Sequence, residues 1–257
     1  LERLTGAPSP PPVETVSREV SPVDLARLQR DRLGFAQKPV SKLPEVLTRA
    51  GVRVFQLAAP TGQFSGLSYW HADYGPCILG NAKDLAGRRN FTLAHEYAHL
   101  LYRDPPSVCD LTHEGTASHA GVERAADLFA IHFLLPHEFV CRDFSKAALS
   151  SHPSLRDIGQ LSGRWCVSVQ AMAYRLEELG LTSEGYAQTV LSGYAPKPPL
   201  IRGVRRPTWE RRLGRQFVSN AIRAYRDGHI SLGKLARSLN LPIRRALEVA
   251  EHYAKDR

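Results

Sequence analysis

The stretch Phe91-Thr92-Leu93-Ala94-His95-Glu96-Tyr97-Ala98-His99-Leu100-Leu101 decides how this chain folds and what it can do. Residues four apart share one face of a helix, so His95 and His99 can bind one metal ion together. Glu96 points to the neighbouring face, where it can hold a water bound to that ion. In a chain with 10 His, chance alone produces such a pattern in about one case in fifty. A third ligand is what turns the pattern into a site.

The apolar run predicts a helix over about 91–102, stopped by Asp104-Pro105-Pro106. A polar loop follows through 107–120, then a second helix over about 122–135 that ends at Pro136. Ala125, Ala126, Leu128, Phe129, Ala130, Phe133 and Leu134 leave that second helix little polar surface, which predicts burial. The HExxH spacing is the zincin signature of metal-dependent peptidases, in which three protein ligands leave one position open for water. The metzincin arrangement, with Gly at 102 and His at 105, is excluded because Tyr102 and Pro105 stand there. Glu123, at the start of the second helix, fits as third ligand, and Glu114 in the loop is the runner-up. Asp127 lies four residues after Glu123 on the same face and can accept the free ring N–H of His95 or His99. A buried helix needs a reason to carry two carboxylates on one face, and a metal provides one. The plainer alternative pairs them with Arg124 or leaves them facing water.

At 257 residues the chain suits one large or two modest domains. Its 43% apolar and 23% charged residues are those of a soluble globular protein. No apolar run reaches membrane-spanning length, since the longest, 128–136, is interrupted by His132. The first residues carry no secretory pattern, and opening on Leu1 points to sequence lost upstream. Cys77, Cys109, Cys141 and Cys166 are widely spaced with no C-x-x-C pair, which predicts free thiols in a reducing cytoplasm. The net charge of +9 is unevenly spread: residues 197–257 hold 15 Lys+Arg against 5 Asp+Glu, and residues 1–196 hold 19 against 20. That asymmetry suits a nucleic-acid or acidic-protein partner, the alternative being a solvated basic tail.

Pro8, Pro10, Pro11, Pro12 and Pro22 mark 5–22 as a linker. Ser21-Pro22 starts a helix over 23–33, and a short helix over 43–50 stops at Gly51. Three β-type runs at 52–57, 66–71 and 77–79 predict a small, mostly antiparallel sheet, with residues 78–81 as an edge for an extended substrate. Residues 155–161 and 167–179 read as helix, turn, helix, a winged-helix cadence better suited to packing or partner contact than to DNA. A Pro- and Arg-rich linker over 196–214 precedes three short helices at 216–226, 232–239 and 243–253. The last two resemble a helix-turn-helix with Lys234, Arg244 and Arg245 as contacts to nucleic acid or a partner, or else form a bundle bracing the catalytic domain. The expected fold is α+β: a small antiparallel sheet with a helical zincin core, followed by a helical, helix-turn-helix-like C-terminal region. It divides into 1–21 as linker or upstream remnant, 22–150 as zincin-like metallopeptidase domain, 151–195 as helical module and 196–257 as basic C-terminal domain.

The quoted stretch resembles the F-T-x-A-H-E-x-x-H-x-L signature of the ImmA/IrrE family of metallopeptidases. Glu123-Arg124-Ala125-Ala126-Asp127-Leu128-Phe129-Ala130, followed by Leu134-Leu135-Pro136, is similar to that family's second block. The resemblance covers roughly 22–180; Asp127 stands where Asn is common, and the basic extension lies outside the minimal pattern. It implies a gluzincin-like, cytoplasmic zinc peptidase of bacterial or phage regulation. Such a peptidase cleaves a helix-turn-helix repressor to relieve repression in a stress response or mobile-element induction. It also makes His95, His99 and Glu123 the metal ligands and Glu96 the catalytic base. Zn2+ is expected, with Mn2+ also suited in part to these ligands. Tyr102, His113 and His119 are the candidates for stabilising the oxyanion. The competing function is a non-catalytic, metal-sensing, DNA-binding transcriptional regulator, against which the intact Glu96 speaks. A broad digestive protease ranks third.

Overall fold

The computed structural model describes residues 2–6, 11–60, 64–105, 108–109, 117–194 and 209–253. A four-residue turn of helix, α1 (Glu2–Thr5), precedes α2 (Pro22–Arg32) and α3 (Leu43–Arg49). The strands β1 (Arg53–Leu57), β2 (Gly66–His71) and β3 (Gly75–Asn81) follow, then α4 (Ala86–Tyr102), which carries the two histidines. After the two-residue β4 (Val108–Cys109) come α5 (Ala117–Leu134), α6 (His137–Lys146), α7 (Leu155–Trp165), α8 (Val169–Glu178) and α9 (Tyr186–Leu191). The chain ends with α10 (Trp209–Leu213), α11 (Arg215–Arg226), α12 (Leu232–Leu239) and α13 (Ile243–His252). The α+β class follows directly, and no helix among the described residues is long and apolar enough to cross a membrane.

Local chemistry sets several boundaries. Ser21 caps α2 by accepting from the Asp24 amide at 3.1 Å, and Pro22 fills the first helical turn where no amide is needed. Ser154 and Asp157 form a reciprocal capping box at α7. Helix α4 begins five residues earlier than its apolar run suggests, because Ala86, Gly87, Arg88 and Arg89 continue the same turn geometry. Helix α6 adds to the expected set: Pro136 ends α5 but also serves as the N-cap of the next helix.

The sheet order is β1-β3-β2-β4. Strands β2 and β3 form an antiparallel hairpin, and β4 pairs antiparallel with Gly66 and Leu67. Strand β1 runs parallel to β3, with Val54 opposite Ile78, so the sheet is mixed. The reason is topological: the chain leaves β1, skips one position to lay down β2, and the hairpin returns β3 into the gap. This corrects the expectation that residues 78–81 form an edge. They are paired on both sides, and Asn81 is fully buried. Among the described residues, β1 has no strand on its outer side, where α10 packs, and β2 has none beyond Leu67.

Helix α4 packs on β2 and β3, α5 packs beside α4, and α2 covers α5. Leu93, Ala94, Ala98, Leu101, Phe129, Ala130, Phe133 and Leu134 lie in one buried cluster that also includes Leu25 and Ile78. Phe129 and Phe133 stack with ring centroids 5.4 Å apart. Tyr97 crosses from α4 to donate its hydroxyl to Gln29 at 2.8 Å, and burial pushes its phenol pKa well up.

Helices α7 and α8 join the same cluster through Trp165, Met172 and Leu176. Arg175, 1% exposed, donates through Nε to the Leu135 carbonyl at 3.1 Å. A Cβ on Gly87 would meet the Val167 carbonyl carbon at 2.3 Å, so the α7–α8 turn sits directly against the start of α4. That seat favours the packing role for this module. Helices α11, α12 and α13 hold a second, separate cluster around Val218, Ile222, Leu235 and Leu239. The segment expected to be a linker also has a definite seat, with Val13, Val16 and Val20 packed against the main core.

Candidate active site

Helix α4 presents His95 and His99 one turn apart, and α5 brings Glu123 opposite them. The two Nε2 atoms are 3.0 Å apart, His95 Nε2 is 3.1 Å from Glu123 Oε2, and His99 Nε2 is 3.5 Å from Glu123 Oε1. A tetrahedral ion with bonds of about 2.0–2.1 Å has ligand-to-ligand edges of about 3.3 Å, so these three atoms fit such an ion. All three ligand atoms fall within 4.8 Å of one another. Hydrogen bonds from His95 and then His99 hold the Glu123 carboxyl far below the usual range, against burial. The carboxylate is therefore ionised and ready to bind a cation.

Each imidazole is oriented from behind by a carboxylate. His95 Nδ1 is 2.8 Å from Asp127 Oδ1, and His99 Nδ1 is 2.8 Å from Asp104 Oδ2. In the metal-binding tautomer Nδ1–H would donate backwards to these carboxylates and each Nε2 lone pair would face the centre, an arrangement that raises ligand basicity. Asp127 is the carboxylate expected for this task, and it serves His95. Asp104 is legible in the sequence only as a helix stop. Its placement depends on Arg103, which adopts the left-handed conformation at φ 56° and turns the chain back so that the Asp104 amide donates to His99 O at 2.9 Å. Burial pushes the Asp104 carboxyl up, but hydrogen bonds from His99 and Arg18 outweigh it and hold it below its ordinary value.

Glu96 is fully buried, and neither carboxylate oxygen has a hydrogen-bond partner among the described residues. A buried, unpartnered carboxylate is costly. Beside a cluster of metal-type ligands it signals a place where a polar group of the working enzyme belongs. Gly66 of β2 lies against it: a Cβ there would sit 2.4 Å from Thr92 Cγ2 and 3.0 Å from both Cγ and Oε1 of Glu96. Gly66→Ala is therefore expected to destabilise the fold by about 1–3 kcal/mol through overpacking. A lowered urea midpoint checks this, and an unchanged midpoint would contradict the close approach.

The oxyanion candidates separate. Tyr102 is corrected: its hydroxyl donates to the Val20 carbonyl at 2.9 Å, so its proton is spent on the main chain. His113 lies outside the described residues, as does the runner-up ligand Glu114. The backbone of His119 belongs to α5, and its side chain is outside those described. Lys234 is exposed on α12, and Arg244 and Arg245 open α13; the Arg244 side chain is 94% exposed. Arg245 Nη1 lies 2.9 Å from Glu248 Oε2, and Arg244 Nε 3.5 Å from Glu248 Oε1.

Two histidines from one helix, a glutamate from the next and a buried carboxylate between the helix and a strand define the class: a gluzincin-type metallohydrolase centre. The family model described as the IrrE N-terminal-like domain, Peptidase_M78, matches residues 47–177, just over half of the chain. The protein belongs to this ImmA/IrrE family of metallopeptidases. The matched span contains the sheet, both metal-site helices and the α7–α8 turn. No curated protein matches the chain.

Proposed function

We propose that the protein is a zinc-dependent, cytoplasmic endopeptidase that cleaves a helix-turn-helix transcriptional repressor and so relieves repression in a stress response or mobile-element induction. The observation that carries the hydrolytic part is the orphaned carboxylate of Glu96 beside the His95, His99 and Glu123 ligand atoms. A purely structural metal site has no use for a buried base. A zinc ion held by His95, His99 and Glu123 would supply Lewis acidity for activating a water and polarising a peptide carbonyl. Glu96 takes the proton of the attacking water and delivers it to the leaving amine. Asp127 and Asp104 keep the two imidazoles aimed, and Gly66, lacking a side chain, lets β2 pack closely against Glu96.

Repressor specificity is supported by the basic C-terminal unit, in which Asn240 at φ 51° makes the tight turn between α12 and α13. A single turn with exposed basic residues suits docking to an acidic surface or to DNA already carrying the repressor. The test is incubation of the zinc-loaded protein with a panel of helix-turn-helix repressors, read by intact-mass spectrometry. One chelator-sensitive cut is expected. Indiscriminate cleavage of an unfolded protein such as casein would overturn the regulatory reading. No cleavage, with a metal-dependent DNA shift, would support the non-catalytic regulator instead.

A further inference from the structure

The proline-bearing N-terminal segment reaches the metal site through one side chain. Its start lies on α3's end, since a Cβ on Gly51, at φ 99°, would meet the Pro11 carbonyl oxygen at 2.1 Å. The Val16 amide then donates to the Leu101 carbonyl at 2.9 Å, satisfying one of the carbonyls that the end of α4 leaves without a helical partner. Two residues on, the Arg18 guanidinium stacks over the Tyr102 ring, 4.2 Å from its centroid, and pairs with Oδ1 of Asp104. Asp104 uses its other oxygen for His99 Nδ1 at 2.8 Å. The Tyr102 hydroxyl closes the arrangement on Val20 O.

We propose that Arg18 is a positioning residue of the metal centre, and that residues 11–20 form a strap whose docking sets how firmly the protein holds its metal. The inference rests on His95, His99 and Glu123 being the ligands. The Asp104 side chain is 8% exposed, so its orientation is decided by the protein and not by water. With one oxygen on the guanidinium and one on the imidazole, the carboxylate has a single rotamer that satisfies both. Without Arg18, it has an unpaired oxygen beside the solvent and turns outward, and His99 loses the acceptor that aims Nε2 at the centre. The Arg18 side chain is itself 38% exposed, so its loss is expected to be read mainly in metal retention.

The experiment measures Zn2+ affinity of the full chain by competition with a chromophoric chelator for wild type, Arg18→Ala, Arg18→Lys, Asp104→Asn and the Arg18→Ala/Asp104→Asn double variant. Loss of an outer-shell partner typically weakens metal binding about 10–100-fold. Asp104→Asn is expected in that range, Arg18→Ala several-fold weaker than wild type, and Arg18→Lys between the two Arg18 states. The double variant should be no weaker than Asp104→Asn, because Arg18 acts through Asp104. Wild-type affinity in Arg18→Ala would overturn the proposal, as would strict additivity in the double variant. A wild-type protein that binds no zinc would instead overturn the ligand assignment itself, so the two failures are distinct.

Discussion

Glu123→Ala is expected to strip the protein of its metal. Glu123 offers both oxygens to the two Nε2 atoms, and no other described carboxylate joins that group. Two histidines alone leave a divalent ion half-ligated, so affinity should fall by more than the roughly 10–100-fold cost of losing an outer-shell partner. Metal analysis after gel filtration reads the result: one ion per chain in the wild type, and close to none in the variant. The fold itself should survive, because the Glu123 side chain is 26% exposed and lies at the rim of the cluster. Retained stoichiometric metal would move the third ligand elsewhere, with Glu114 the first place to look.

Glu96→Gln is expected to separate binding from chemistry. The amide keeps the size and shape of the carboxylate and sits outside the ligand group, so one metal per chain should remain. Proton transfer is lost, and a positioned general base contributes about 10^2–10^4-fold to rate. The apo protein provides a second readout that needs no substrate. Both Glu96 oxygens are buried without hydrogen bonds among the described residues, and a neutral amide costs less to bury than a charge. The urea midpoint of apo Glu96→Gln should therefore equal or exceed that of the wild type. Cleavage at the wild-type rate would remove Glu96 from the mechanism.

Both expectations concern residues that are legible in the amino-acid sequence. The four-residue spacing of His95 and His99, and of Glu123 and Asp127, is helical periodicity written in nearby positions, and the apolar residues around both pairs announce burial. The capping of α2 by Ser21 and Pro22 and the stop at Asp104-Pro105 are equally local. Other features read less well for the same reason in reverse. The start of α4 lies outside its apolar run, and α6 hides behind a proline that reads more naturally as an end than as a cap.

Contacts between residues far apart in the chain carry no such local mark. The hydrophobic pattern of β1, β2 and β3 predicts strands but holds no information on their order, so β3 in the centre and β1 parallel to it come from the crossover that packing demands. Gly66 meets Glu96 across 30 positions, and nothing in either neighbourhood marks the other. Arg18 lies among prolines that signal a linker, and Asp104 among residues that signal a helix end. The two meet at His99 only because the strap completes the carbonyls at the end of α4. Periodicity and caps act within a turn or two of the backbone, which is why the helices, the ligand pair and the base can be read residue by residue. The carboxylate behind His99, the close approach of Gly66 to Glu96 and the seat of the N-terminal segment are non-local, and they exist only once the chain has closed on itself.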